Sequence, residues 1–367
     1  MRGLGLFLGL NRKRAGGAGG DTPPANITAP VVTGTGYVGY TLSTTDGVWS
    51  GSPAPTFTYQ WQRNTGTWTD IAGATASTYA VTLADEGVPV RCVVTATNIA
   101  GSASANSNAI EQWVPSDGGT VRLWYDAADA STISIATGIS SWTSKGTLAE
   151  SSTQGTGANQ PGYNATGFGG RPCATFNGST QFLTQDVAAD VLRNVTGGTV
   201  ASACRIDVGS TTRAIYVVST SSNTSTRYQL QTLSPQTARI AHRRLDGDAF
   251  AAHEIGVMTL GSPSSLIGVT NHVAGSVFGI LNGTSSTPAT ASTGSTSNTA
   301  SARRRIGSDP ANTPGGFFNG AIAEILLYES TLSATNLEKL AGYLHWRWQM
   351  VSTLAGGHPY KTIPPTP

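Results

Sequence analysis

Two acids near the C-terminus, Glu324 and Glu329, are the first residues to test for chemistry. Hydrolysis of a glycosidic bond needs two carboxyl groups flanking it, about 5–5.5 Å apart for retention or about 6.5–9.5 Å for inversion. Ile325-Leu326-Leu327-Tyr328 separates these two, and on a strand an odd separation sends them to opposite faces. His253-Glu254 lacks the second histidine of a zinc motif, and neither a G-x-S-x-G elbow nor a phosphate loop occurs. His242 and His272 stand alone and read as surface residues; the runs His242-Arg243-Arg244 and Arg303-Arg304-Arg305 read as solvated strand faces or turns rather than a phosphate site. Cys92, Cys173 and Cys204 are odd in number and widely spaced, so neither a disulfide framework nor a metal cluster is expected. Catalysis is therefore not expected of this chain, and no cofactor is called for.

The elements that must carry any binding residues are strands. Only 11% of the 367 residues are charged, and Gly, Ser, Thr and Asn run throughout, the mix of short strands joined by tight turns. The length allows two or three domains, each with its own core. The net charge of +2 hides an asymmetry: Arg2, Arg12, Lys13 and Arg14 fall in the first twenty residues, which leaves −2 for everything from Asp21 onward. A body so near neutral has no electrostatic footprint for nucleic acid. The same first twenty residues carry Leu4, Leu6, Phe7, Leu8 and Leu10. The apolar run is followed at once by Arg12-Lys13-Arg14 where a signal peptide needs a small-residue cleavage site, so no cleavage is expected. No stretch approaches the roughly 20 apolar residues of a membrane span, and the protein is expected to be soluble. Residues 1–20 read as an anchoring arm whose Leu and Phe side chains insert into a partner while its cations pair with acids there. Residues Ala15 to Pro24 form a glycine tether ending in a stiffer Pro-Pro step, and the linker between arm and first domain spans residues 21–29.

Residues 30–112 show short alternating segments punctuated by turns. Phe57, Tyr59 and Trp61 share one strand face, as do Val90, Cys92, Val94 and Ala96. The strand Tyr59-Gln60-Trp61-Gln62-Arg63, the turn Trp68 to Ala74, Tyr79, Asp85-Glu86-Gly87 and the run Arg91 to Asn98 resemble the immunoglobulin-like domains of bacterial surface proteins and tailed-phage virions. Leu42 stands where a partner cysteine would be, so Cys92 is expected to be a buried free thiol.

After a linker at 113–119, a second pattern fills 120–352, with a tail at 353–367. Leu123-Trp124-Tyr125-Asp126-Ala127-Ala128-Asp129, Trp142, Gln160 to Asn164, Thr175-Phe176-Asn177-Gly178, Arg305-Ile306-Gly307 and the strand Phe317 to Tyr328 occur in an order that resembles the concanavalin A-like lectin/glucanase superfamily, in its laminin-G-like form. Leu337, Leu340, Ala341, Leu344 and Trp348 repeat at helical spacing behind Ser333, which predicts one closing amphipathic helix with Ser333 as N-cap. The retaining enzymes of that superfamily carry a Glu-x-Asp-x-x-Glu strand that has no counterpart here. The resemblance implies sugar sites on rim loops, for which Trp142, Tyr163 and Asn164 are the candidates, while the oxygens of Asp126 and Asp129 are the candidates for calcium. Core filling by Trp142 and turn capping by the two aspartates are the competing structural readings.

The expected fold class is thus all-β: two β-sandwiches in tandem, the second a jelly roll with a C-terminal helix, after an extended arm. With the family resemblances, the plan implies a structural decoration or fibre of a tailed-phage capsid or tail. It would assemble in the host cytoplasm, sit in multiple copies on the virion surface among capsid, neck or tail proteins, and present a lectin-like domain to host glycans. A secreted bacterial adhesin and a glycoside hydrolase are the alternatives; the first would need an export signal and the second the missing acid pair.

Overall fold

The computed structural model describes residues 20–209, 212–220 and 226–367. The arm residues Leu4, Leu6, Phe7, Leu8, Leu10, Arg12, Lys13 and Arg14 lie outside them. The described residues are all-β with one α-helix near the end, and they form two compact units. The first comprises the described residues up to Gly34, with Thr41–Ala80 and Pro89–Ile110; the second comprises Thr35–Tyr40, Val81–Val88 and Glu111–Pro367. Two loops that fall within 30–112 by sequence therefore group with the second unit. Tyr37 shows why: its hydroxyl donates to Trp113 O at 2.9 Å and its ring meets Tyr343 edge-on at 5.9 Å.

In the first unit a four-stranded sheet (Trp68–Asp70, Thr56–Asn64, Val90–Asn98, Gly101–Asn106) accompanies a three-stranded one (Val32–Thr33, Thr41–Thr44, Thr78–Ala80). Trp61 and Cys92 are cross-strand partners, both fully buried with Leu42. Trp61 stacks on Tyr79 at 5.5 Å and donates its indole N–H to Ala76 O, which satisfies the one polar atom it brings into the core.

The second unit is a sandwich of two nine-stranded sheets. The back sheet centres on Gly197–Ile206 and Asn319–Tyr328, which pair antiparallel. Their near-continuous burial, rather than alternation, follows from cover on both faces, the outer by the C-terminal helix. The front sheet runs in the order Ile133–Ile135, Ile139–Thr143, Ser151–Thr153, Leu183–Gln185, Arg303–Ile306, Arg213–Ser219, Thr226–Leu233, Thr237–His242, Ala251–Val257. The two sheets approach closely where Gly268 faces Ile240: a Cβ there would lie 2.9 Å from the Ile240 Cδ1. Tyr228 crosses the same gap and donates its hydroxyl to Gly268 O at 2.6 Å. The helix, Ala334–Arg347, begins at Ser333, whose side chain accepts from Asn336 N, and it buries Leu337, Leu340, Ala341 and Leu344. Among the described residues no helix is long and apolar enough to cross a membrane.

Candidate functional site

Of the acids singled out by sequence, Asp126, Asp129 and Glu324 converge on an ionic knot in the second unit, whereas Glu329 pairs with Arg122. Asp126 ends the strand Val121–Asp126 and is the cross-strand partner of Glu324. Both are fully buried, as is Arg347 in the last turn of the helix. Arg347 reaches Glu86 at 2.8 Å and Asp126 at 3.3 Å. Lys145 reaches Glu86 at 3.0 Å, Asp126 at 3.1 Å and Asp129 at 3.7 Å, with its ammonium 4.4 Å from the Trp124 ring centroid. Burial alone would raise the Asp126 pKa, but the Arg347 and Lys145 cations hold it below the usual carboxylate range. Glu324 has no such cation at contact distance. Its carboxylate accepts from Trp124 Nε1 and Trp348 Nε1, each at 2.6 Å, and from the Tyr343 hydroxyl at 3.0 Å. Burial first, and the Asp126 charge second, push it up to about 8.

This knot corrects the calcium expectation. Asp126 gives one oxygen to Lys145 and Arg347 and the other to the Ala128 N–H, while Asp129 caps the turn at Ala130–Thr132 by accepting from Ser131 N and Oγ. Among the described residues no group of three or more His, Cys, Asp or Glu is gathered as a metal site. Nor do Trp142, Tyr163 and Asn164 form a sugar platform. Trp142 is fully buried, edge-on to Tyr125 at 5.7 Å, and has no face to offer a ligand. Tyr163 is half-buried with its hydroxyl on Ala127 O, and Asn164 is exposed with its side-chain oxygen on Thr166 N. The lone histidines and the arginine run are also not surface features. His242, His272 and all of Arg303, Arg304 and Arg305 are buried, because these arginines find partners in Asp186, in Glu150 and in the carbonyls of Asp309 and Ala311 respectively.

A candidate surface for a ligand is the outer face of the front sheet. Tyr216, Tyr228, Leu230 and Ile240 point into the core, so alternation turns Val217, Gln229, Gln231, Arg239 and Ala241 outward. The register sets Thr184, Arg305, Val217, Gln229 and Ala241 side by side across five strands, and Gln231 beside Arg239 in the next row. The Gln231 amide, oriented with its oxygen toward Arg239, accepts from that guanidinium. At one margin Phe182 and Phe317 are half-buried with ring centroids 6.2 Å apart, and the Arg305 guanidinium lies 4.9 Å from the Phe182 centroid. Burial, then the neighbouring Arg303 charge, lowers the Arg305 pKa to about 10, which leaves it cationic at neutral pH. Gln229 and Gln231 are buried although they point outward, as are Val217 and Ala241, so neighbouring side chains cover the middle of this face. Amide and guanidinium groups backed by Val217 and Ala241, with phenyl rings at the rim, can hydrogen-bond sugar hydroxyls and stack against a sugar's apolar face. Sequence reasoning missed this surface, yet a signal exists: in Arg227-Tyr228-Gln229-Leu230-Gln231 the polar residues recur with period two.

No family model and no curated protein matches the chain. Among solved structures it is similar to a point mutant of NanB sialidase from Streptococcus pneumoniae (13% identity, TM-score 0.36), over 45% of this chain and 26% of that one. It is also similar to the CBM40 of the Ruminococcus gnavus IT-sialidase bound to alpha2,3 sialyllactose (13% identity, TM-score 0.34, 42% of this chain and 95% of that one). A third is the heptameric SAP-like pentraxin of Limulus polyphemus (14% identity, TM-score 0.38, 46% and 80%). The chain thus covers about a quarter of the NanB sialidase chain, and likeness of this degree says nothing about the ligand of this one.

Proposed function

We propose that the chain is a non-enzymatic display protein whose second unit binds saccharide on the outer face of its front sheet. The observation that carries the reading is the aligned row of Thr184, Arg305 and Gln229 with Phe182 and Phe317 at its rim. The absence of catalysis is supported by the acids: Glu324 is sealed from solvent by two tryptophans and a tyrosine, and Glu329 accepts from Leu192 N and pairs with Arg122. The wider role we propose is that of a tailed-phage virion surface protein, held to capsid, neck or tail by the arm at residues 1–20 and presenting the sandwich to host glycans. That part is supported by the family resemblances and by the arm-plus-glycine sequence. Multiple copies would turn weak sugar contacts into firm attachment.

A glycan array with the full chain, followed by titration calorimetry on its best hit, tests the binding reading. Binding that is lost in Phe182→Ala and Gln229→Ala supports the site; binding that both variants retain removes it. Co-sedimentation with purified virions, with and without residues 1–20, tests the anchoring: equal association of both forms would overturn it.

A further inference from the structure

At the end of the front sheet where Thr237–His242 and Ala251–Val257 meet the edge of the back sheet, a cavity of about 370 Å³ opens. His242, Arg243, Arg244, Asp248, Thr290 and Ser292 are among its lining residues, and none of these belongs to the Phe182–Arg305 surface. The site carries surplus positive charge. Arg244 Nε lies 3.8 Å from Asp248 Oδ2, while Arg243 donates to the Asp246 carbonyl and, among the described residues, meets no carboxylate. One acid therefore answers two half-buried guanidiniums.

His242 is the second observation. It is 4% exposed, and neither ring nitrogen has a hydrogen-bond partner. Burial first, and the nearby His272 second, lower its pKa to about 4, so the ring is neutral at pH 7 and holds one donor and one acceptor that folding leaves unused. Such groups cost about 1–3 kcal/mol each when unsatisfied. The neighbouring wall is fixed, since His272 Nδ1 bonds Ser292 O at 2.8 Å and its ring lies 6.1 Å from that of His242.

Two guanidiniums short of acids, a neutral imidazole and the Thr290 and Ser292 hydroxyls call for a ligand that joins a carboxylate to hydroxyl groups. The cavity lies in the lower part of the range of small-molecule sites, roughly 300–1,000 Å³. We propose that this pocket binds a uronate, with its carboxylate on Arg243 and Arg244 and its ring hydroxyls toward His242 and Ser292. The site would act independently of the sheet face.

Titration calorimetry of the full chain with glucuronate, glucose and sulfate tests it. Charge-assisted hydrogen bonds to the carboxylate should make glucose at least about ten-fold weaker than glucuronate. Sulfate, which lacks the sugar hydroxyls, should also be weaker. Ala251→Phe, which fills the cavity from an exposed position, and Arg243→Gln should each weaken glucuronate at least about ten-fold while leaving the unfolding midpoint in place. Should Arg243→Gln shift that midpoint, Ala251→Phe alone decides. Sulfate as tight as glucuronate, glucose as tight as glucuronate, full binding by Ala251→Phe, or no glucuronate binding at all would each overturn the proposal.

Discussion

The second unit holds two collections of the same residue types in different settings. In the knot, Asp126, Glu86, Lys145 and Arg347 pair with one another and Glu324 is wrapped by three aromatic donors, so the carboxylates of Asp126 and Glu324 face protein donors, while Lys145 is partly exposed. On the outer face of the front sheet Arg239 is half-buried while Arg305, Gln229 and Gln231 are covered by their neighbours, with two phenyl rings beside Arg305. Chemical type does not separate the two collections; the partners do, carboxylates in the knot against amides and backbone carbonyls on the sheet. A buried ion pair is also no simple gain, because desolvation offsets much of its attraction, but removing one partner strands the other in a medium that cannot solvate it.

That contrast breaks most visibly at Arg347. Arg347→Ala leaves Asp126 and Glu86 without their guanidinium and should lower the unfolding free energy by about 3–5 kcal/mol, read as a fall in the urea midpoint. A fall of under about 1 kcal/mol would show that the knot behaves like a surface pair. Next comes Glu324→Gln, which turns an amide N–H₂ toward an indole or hydroxyl donor and should cost about 1–3 kcal/mol. It also has a pH signature. With its folded pKa raised to about 8, Glu324 keeps in the folded state a proton that the unfolded chain has already released, so stability is fullest below the unfolded value and is lost as pH rises through about 8. His242 and His345, both lowered to about 4, work the other way: the unfolded chain binds their protons first, so their contribution is lost as pH falls from the histidine range toward 4. Between about pH 6.5 and 8 those imidazoles are neutral, and the midpoint should decline in the wild type and stay flatter in Glu324→Gln. A smaller effect tests the helix that delivers Arg347: Ser333→Ala removes its N-cap and should cost about 1 kcal/mol. Comparable in size, Gln229→Ala on the front-sheet face should cost about 1 kcal/mol while, on the proposed reading, saccharide affinity falls.

What the sequence made legible follows the same division. Period-two patterning around Trp61 and Cys92, and the Leu337 to Trp348 spacing behind Ser333, are local signals, and the strands and the capped helix stand where those signals put them. The arginine run could not be read that way. Arg303-Arg304-Arg305 resembles a solvated segment until Asp186 and Glu150, more than a hundred residues away in the chain, are folded against it. Asp126 misleads for the same reason, since its cations come from positions 145 and 347. The sheet-face residues fall between the two cases: alternation exposes the Gln229–Gln231 stripe, but only cross-strand register brings Arg305 and Phe182 beside it.

The three cysteines have a practical consequence. All are unpaired and fully buried, and burial raises the pKa of each, to about 11 for Cys173 and about 12 for Cys204, so the reactive thiolate is suppressed twice over, by access and by protonation. Alkylation by an added thiol reagent must then wait for the surrounding structure to open, and its rate becomes a stopwatch for that opening. Because Cys92 sits in the first unit and Cys173 and Cys204 in the second, peptide mapping of the label would time each sandwich separately within one intact molecule, with no engineered probe.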